Sequence, residues 1–124
     1  MKYYGITDKS LLEVAKQAYF VSEIDNGNSG GSKTIDWTIG NKQKITLTGS
    51  PGCTFTFTAP SGPCSITIKL IQGSGGSKTV TWPGTVWWVG RTPPVLSTTA
   101  AYVDLVTFYY DGANYLGVAS INFG

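Results

Sequence analysis

From Lys33 onward, apolar and polar residues alternate with a period of two. Ile35, Trp37 and Ile39 alternate with Thr34, Asp36 and Thr38, and Ile45 and Leu47 with Thr46 and Thr48. Phe55 and Phe57 alternate with Thr54, Thr56 and Thr58; Ile66, Ile68 and Leu70 with Ser65, Thr67 and Lys69; Val80 and Trp82 with Thr79 and Thr81. Successive side chains of a strand point to opposite faces, so each run predicts a half-buried strand with a threonine-lined outer face. Gly40-Asn41, Pro51-Gly52, Ser61-Gly62-Pro63 and the glycine-rich 73–76 punctuate the runs as turns. Short, regularly spaced strands of this kind predict a mainly β fold, an antiparallel β-sandwich of jelly-roll type.

The two ends of the chain depart from that pattern. In 102–110 both faces are apolar or aromatic, with Val103, Leu105 and Tyr109 on one and Val106, Phe108 and Tyr110 on the other. After Asp111-Gly112, residues 114–123 offer Tyr115, Ala119, Ile121 and Phe123 against Leu116 and Val118. A strand apolar on both faces in a small sandwich needs a second cover, so Val106, Phe108 and Tyr110 are candidates for a subunit interface. At the other end, Ser10 and Glu13 have capping-box spacing, and Leu11, Val14, Ala15, Ala18 and Tyr19 recur at helical spacing to about Phe20. This predicts a short N-terminal α-helix, too short to be stable unless it docks. Its Leu11, Val14, Ala18 and Tyr19 face is a candidate partner surface. The turn-rich 25–31 then reads as a linker, giving an anchoring segment 1–28 and a sandwich domain 29–124.

Length and composition narrow the function classes. The 124 residues suffice for one domain with one core. Only 13% are charged and the net charge is +2, without the concentrated basic stripe that nucleic-acid binding needs. No apolar run is long enough to span a membrane, and the first eight residues hold no apolar signal region, so the protein is expected to be made in the cytoplasm. With no histidine, the commonest general base and metal ligand is missing.

The remaining motifs point to no catalytic residue, metal or cofactor. Ser74-Gly75-Gly76-Ser77-Lys78-Thr79, which repeats residues 29–34, superficially resembles a phosphate-binding loop. It lacks the glycine before the lysine, and a strand rather than a helix follows. Asp25, Asn26 and Asn28 do not fit a calcium loop, because Gly27 and Ser29 stand at ligand positions. Asp36, Asp104 and Asp111 are scattered, whereas a glycosidase needs two convergent carboxylates. Cys53 and Cys64 each share a face with core residues and read as free thiols; a hairpin of 53–58 with 64–70 would hold them beyond disulfide reach. Around Trp82-Pro83-Gly84-Thr85-Val86-Trp87-Trp88 three readings stay open: core filling, a subunit contact, and a stacking platform for sugar rings in which Trp87, Trp88 and Tyr115 take part.

Several stretches together resemble a β module of tailed-bacteriophage virion proteins: 33–37 running to Leu47-Thr48-Gly49, Phe55-Thr56-Phe57-Thr58-Ala59-Pro60, and Lys78-Thr79-Val80-Thr81-Trp82-Pro83. Pro94-Val95-Leu96-Ser97-Thr98-Thr99-Ala100, Tyr109-Tyr110-Asp111-Gly112 and Gly117-Val118-Ala119-Ser120 belong to the same likeness, which covers about 33–123. Such modules form C-terminal parts of tail fibres and small head-decoration (cement) proteins, commonly trimeric and without catalytic residues. The resemblance implies a non-enzymatic homotrimer on the virion surface. A short helix and linker in place of a fibrous shaft favours a capsid decoration protein docked on the major capsid protein or another virion subunit. The alternative is a receptor-binding fibre tip that recognises a host-surface glycan.

Overall fold

The computed structural model describes residues 16–124. It is mainly β, with nine strands: β1 (Ile24–Asn28), β2 (Ser32–Asp36), β3 (Lys42–Leu47), β4 (Gly52–Thr58), β5 (Cys64–Gln72), β6 (Thr79–Thr81), β7 (Val86–Trp88), β8 (Val103–Tyr110) and β9 (Tyr115–Phe123). A six-stranded sheet has the order β1-β3-β5-β8-β9-β7 and a three-stranded sheet the order β2-β4-β6.

The first six strands alternate between the two sheets, and β1 to β4 each pair in parallel with the strand two places on. Three two-strand coils therefore stack on one another in a β-solenoid-like arrangement. This corrects the antiparallel jelly-roll expectation. The period-two pattern specifies which face of a strand is buried and is the same for parallel and antiparallel pairing. The turn-forming clusters are corners between sheets rather than hairpin turns. In particular, β4 and β5 lie in different sheets, so 53–58 and 64–70 form no hairpin. Antiparallel pairing is confined to β5–β8 and β8–β9.

The corners are held by polar side chains that the apolar pattern does not reveal. Buried Gln43 donates to the carbonyls of Asp36 (2.8 Å) and Gly40 (2.9 Å), closing the β2–β3 corner. Buried Gln72 donates to Lys78 O (2.8 Å) and accepts from Lys78 N (3.0 Å), closing the β5–β6 corner. Each supplies partners for backbone groups that would otherwise be buried unpaired. The repeated Ser-Gly-Gly-Ser-Lys-Thr segments occupy the β1–β2 and β5–β6 corners and lead into strands of the same sheet.

Between the sheets lie Ile35, Trp37, Ile45, Leu47, Cys53, Phe55, Ile66, Ile68 and Leu70 from the coils, and Val106, Phe108, Tyr110 and Tyr115 from the hairpin. Phe108 joins the two groups, with its ring 6.2 Å from Trp37, 5.6 Å from Phe57 and 5.8 Å from Trp82. Both cysteines are free, and burial pushes the Cys53 thiol up.

At the N-terminal end, no α-helix is present among the described residues. Residues 16–20 are irregular and exposed, Ala18 and Tyr19 included, while Leu11 and Val14 lie outside the described residues. Helical spacing in so short a segment rests on few apolar positions, and such a segment without a packing partner is marginal. Residues 25–28 of the expected linker belong to β1, which pairs with β3. Glu23, just before it, meets Lys69 at 3.0 Å on the outer face of β5.

Candidate functional site

The hydrophobic alternation of the coils ends at Pro83, whose missing N–H cannot extend a ladder. The chain turns there, with Val86 N donating to Pro83 O at 3.0 Å, and crosses to the far edge of the larger sheet. Strand β7 pairs there in parallel with β9: Val86 with Tyr115, Trp87 with Leu116, Trp88 with Gly117. Alternation along β7 buries Val86, turns Trp88 inward and leaves Trp87 56% exposed on the outer face.

The inward Trp88 fits because its neighbour is a glycine. A Cβ at Gly117 would stand 2.6 Å from Cζ3 and 2.8 Å from Cε3 of the Trp88 indole. Trp88 packs edge-on against Trp82, with ring centroids 5.2 Å apart, and Trp82 in turn rests on Phe55 at 5.4 Å. A 3-10 turn follows over Val89–Arg91, in which Gly90 (φ 66°) and Arg91 (φ 64°) both adopt left-handed backbone. That conformation strains a residue with a Cβ, and such strain persists where surrounding structure imposes it.

The result is a cleft of about 930 Å³ lined by Val80, Thr81, Trp82, Pro83, Val86, Trp87, Trp88, Arg91 and Pro93. It opens where the three-stranded sheet stops at β6 and the larger sheet continues to β7. Arg91 is the one charged side chain in its lining and makes no ion pair with the described residues.

The carboxylates are occupied in local structure. Asp36 accepts from Thr38 Oγ1 (2.6 Å) and Thr38 N (2.9 Å), which hold its carboxyl below the usual range. Asp111 accepts from Asn114 N (2.7 Å) and Ala113 N (2.8 Å) in the β8–β9 turn, with the same consequence. Buried Asp104 accepts from Ser97 N (2.8 Å), the Ser97 hydroxyl and Asn122 N (3.0 Å), tying the 92–102 loop to the irregular end of β9. Among the described residues no group of three or more His, Cys, Asp or Glu could hold a metal ion, and no helix is long and apolar enough to cross a membrane.

Of the residues singled out as glycan-stacking, the cleft brings together Trp87 and Trp88, with Trp82. Tyr115 is not among them: it is buried against Tyr110, ring centroids 4.7 Å apart, and burial pushes its hydroxyl up to about 12. The interface candidates Val106, Phe108 and Tyr110 are likewise core residues. The exposed face is the opposite one. Leu105 (37%), Tyr109 (55%), Leu116 (42%) and Val118 (60%) lie on the outer surface of β8 and β9 around Thr107, and Trp87 continues the Tyr109–Leu116 row from β7. Arg91 belongs to no motif in the sequence. One signal was available, because it is the single charged residue between Lys78 and Asp104.

No family model, curated protein or solved structure matches the chain.

Proposed function

We propose that this protein is a non-enzymatic, homotrimeric structural subunit of a bacteriophage virion surface, in the first place a capsid decoration protein. The observation that supports it best is the apolar outer face of β8, β9 and β7. Tyr109, Leu116 and Trp87 form a cross-strand row of exposed apolar side chains, and Leu105 and Val118 flank it around Thr107. A patch of large apolar side chains in one row marks an association surface, and aromatic anchors are enriched in such interfaces. The likeness of the Phe-Thr-Phe-Thr-Ala-Pro, Thr-Trp-Pro and Tyr-Tyr-Asp-Gly segments to phage modules supplies the biological setting.

Light scattering on the purified protein should give a trimer of 13.2 kDa chains, about 40 kDa. Val118→Lys should release folded monomers, since it places a charge in the patch without touching the core. A stable wild-type monomer at micromolar concentration defeats the assembly reading. For the location, purified protein should add back to capsids lacking it and be seen on the head by cryo-microscopy.

A second reading, a receptor-binding fibre tip, is favoured by the tryptophan cleft. Competition between the purified protein and phage for adsorption to host cells would support it over the capsid.

A further inference from the structure

We propose that the cleft between β6 and β7 binds an acidic sugar unit of a glycan, a uronic or sialic acid. In this assignment its pyranose ring stacks on Trp87 and its carboxylate pairs with Arg91. The proposal rests on the second reading above, recognition of a host surface, and names the ligand class for it.

The cleft offers two kinds of contact together. Trp82, Trp87 and Trp88, with Pro83 and Pro93, provide flat apolar walls. The C–H faces of a pyranose ring suit such walls, whereas its hydroxyls need polar partners at the rim. Thr81 supplies a hydroxyl there. Strand β7 lies at the edge of its sheet, so the backbone groups on its far side have no strand partner. The volume, about 930 Å³, lies at the upper end of the range for small-molecule sites, roughly 300–1,000 Å³, and accommodates more than one sugar ring.

Charge selects among ligands that could stack on tryptophan. Arg91 is the single charge in the lining, held there by left-handed backbone at both Gly90 and Arg91. A planar guanidinium matches one carboxylate through two parallel hydrogen bonds. A polyphosphate or nucleic-acid strand brings several negative charges and needs several cations, and the net charge of +2 is dispersed over the chain. A neutral sugar or a proline-rich peptide would gain no charge-assisted hydrogen bond from Arg91. One acidic group attached to a flat-faced ring satisfies both features.

The test titrates intact protein with 3′-sialyllactose and with a digalacturonate, using lactose as the neutral control, and follows tryptophan fluorescence and calorimetric heat. At least one acidic saccharide should bind saturably and at least ten-fold more tightly than lactose. Arg91→Gln should reduce that preference to about two-fold or less. Trp87→Ala should lose binding, and because Trp87 is exposed both variants should keep the wild-type melting temperature. Lactose binding as tightly as the acids overturns the proposal, as does an Arg91→Gln protein with unchanged preference or the absence of saturable binding by either acid. Adsorption competition run alongside separates the two levels. Protein that blocks adsorption without binding either acid retains the receptor reading and loses this one; protein that does neither loses both.

Discussion

The larger sheet has two halves of opposite surface character. On β3 and β5 the outer face carries Lys42, Lys44, Thr46, Ser65, Thr67 and Lys69, with Ile71 at its end; on β8 and β9 it carries Leu105, Tyr109, Leu116 and Val118, with Thr107 among them. The inner faces of both halves are equally apolar. Inner-face burial therefore explains the fold of both halves, and only the outer faces distinguish them. Lys69 and Leu105 are direct cross-strand partners, so the change from polar to apolar falls between two neighbouring strands. The coil half presents mostly polar side chains on this face, and the hairpin half presents several large apolar ones. The cleft lies on the hairpin side, beyond the last coil.

The difference can be broken most severely at the residue that joins the halves. Phe108 is fully buried and its ring meets Trp37 and Phe57 on one side and Trp88 and Tyr115 on the other. Phe108→Ala should cost about 3–5 kcal/mol, measured by denaturant unfolding. It should leave the β-rich far-ultraviolet signal of any folded fraction unchanged. A loss below about 1 kcal/mol would mean that the halves are held together elsewhere.

Alkali should separate the halves by chemistry. Residues 24–81 contain no tyrosine, whereas the hairpin buries Tyr110 and Tyr115. The Tyr115 hydroxyl is raised from 10.0 to about 12 because burial disfavours the phenolate. A raised folded-state value gives stability that is complete below pH 10 and is lost as pH climbs toward about 12. At about 1.4 kcal/mol per unit, the loss is at most roughly 2–3 kcal/mol. Thermal melts across that window should show the decline, and Tyr115→Phe should flatten it. Equal declines in the two proteins would place the alkaline sensitivity in another group.

A pair of glycines sharpens the same contrast. Gly117→Ala in β9 puts a methyl 2.6 Å from the Trp88 ring and should cost about 1–3 kcal/mol, with a shift in tryptophan emission. Gly31→Ala at a coil corner meets nothing within 4 Å and should change stability by at most about 0.5 kcal/mol. Similar costs at both positions would mean that the Trp88 ring moves aside for a side chain at 117.

What the sequence discloses follows the same division. Inward residues of the coils are legible from alternation alone: Ile45 and Leu47, Cys53 and Phe55, Ile66, Ile68 and Leu70 are all buried as their parity predicts. Ile39 is an exception, exposed because β2 ends at Asp36. Strand direction is not legible, since a corner and a hairpin turn use the same residues. On β8 both faces are apolar, so parity fixes two sets without saying which is inside. The one charge on that strand, Asp104, misleads further, because it lies on the buried face, where Ser97 and Asn122 satisfy it from distant positions. In the cleft, the tryptophans announce themselves by density. Arg91 and Pro93 join them only because β7 crosses to the far edge of the sheet, a tertiary event with no local periodicity.

Parallel stacking of two-strand coils also makes this molecule extensible. Each coil contacts only the coil next to it in the stack, as in any quasi-one-dimensional array. A duplicate of residues 42–63 inserted after Pro63 would add one rung, lengthening the stack by about 4.8 Å. The spacing between β6, β7 and the hairpin would be untouched, so the distance from the cleft to β1 becomes an adjustable dimension while the cleft lining stays constant.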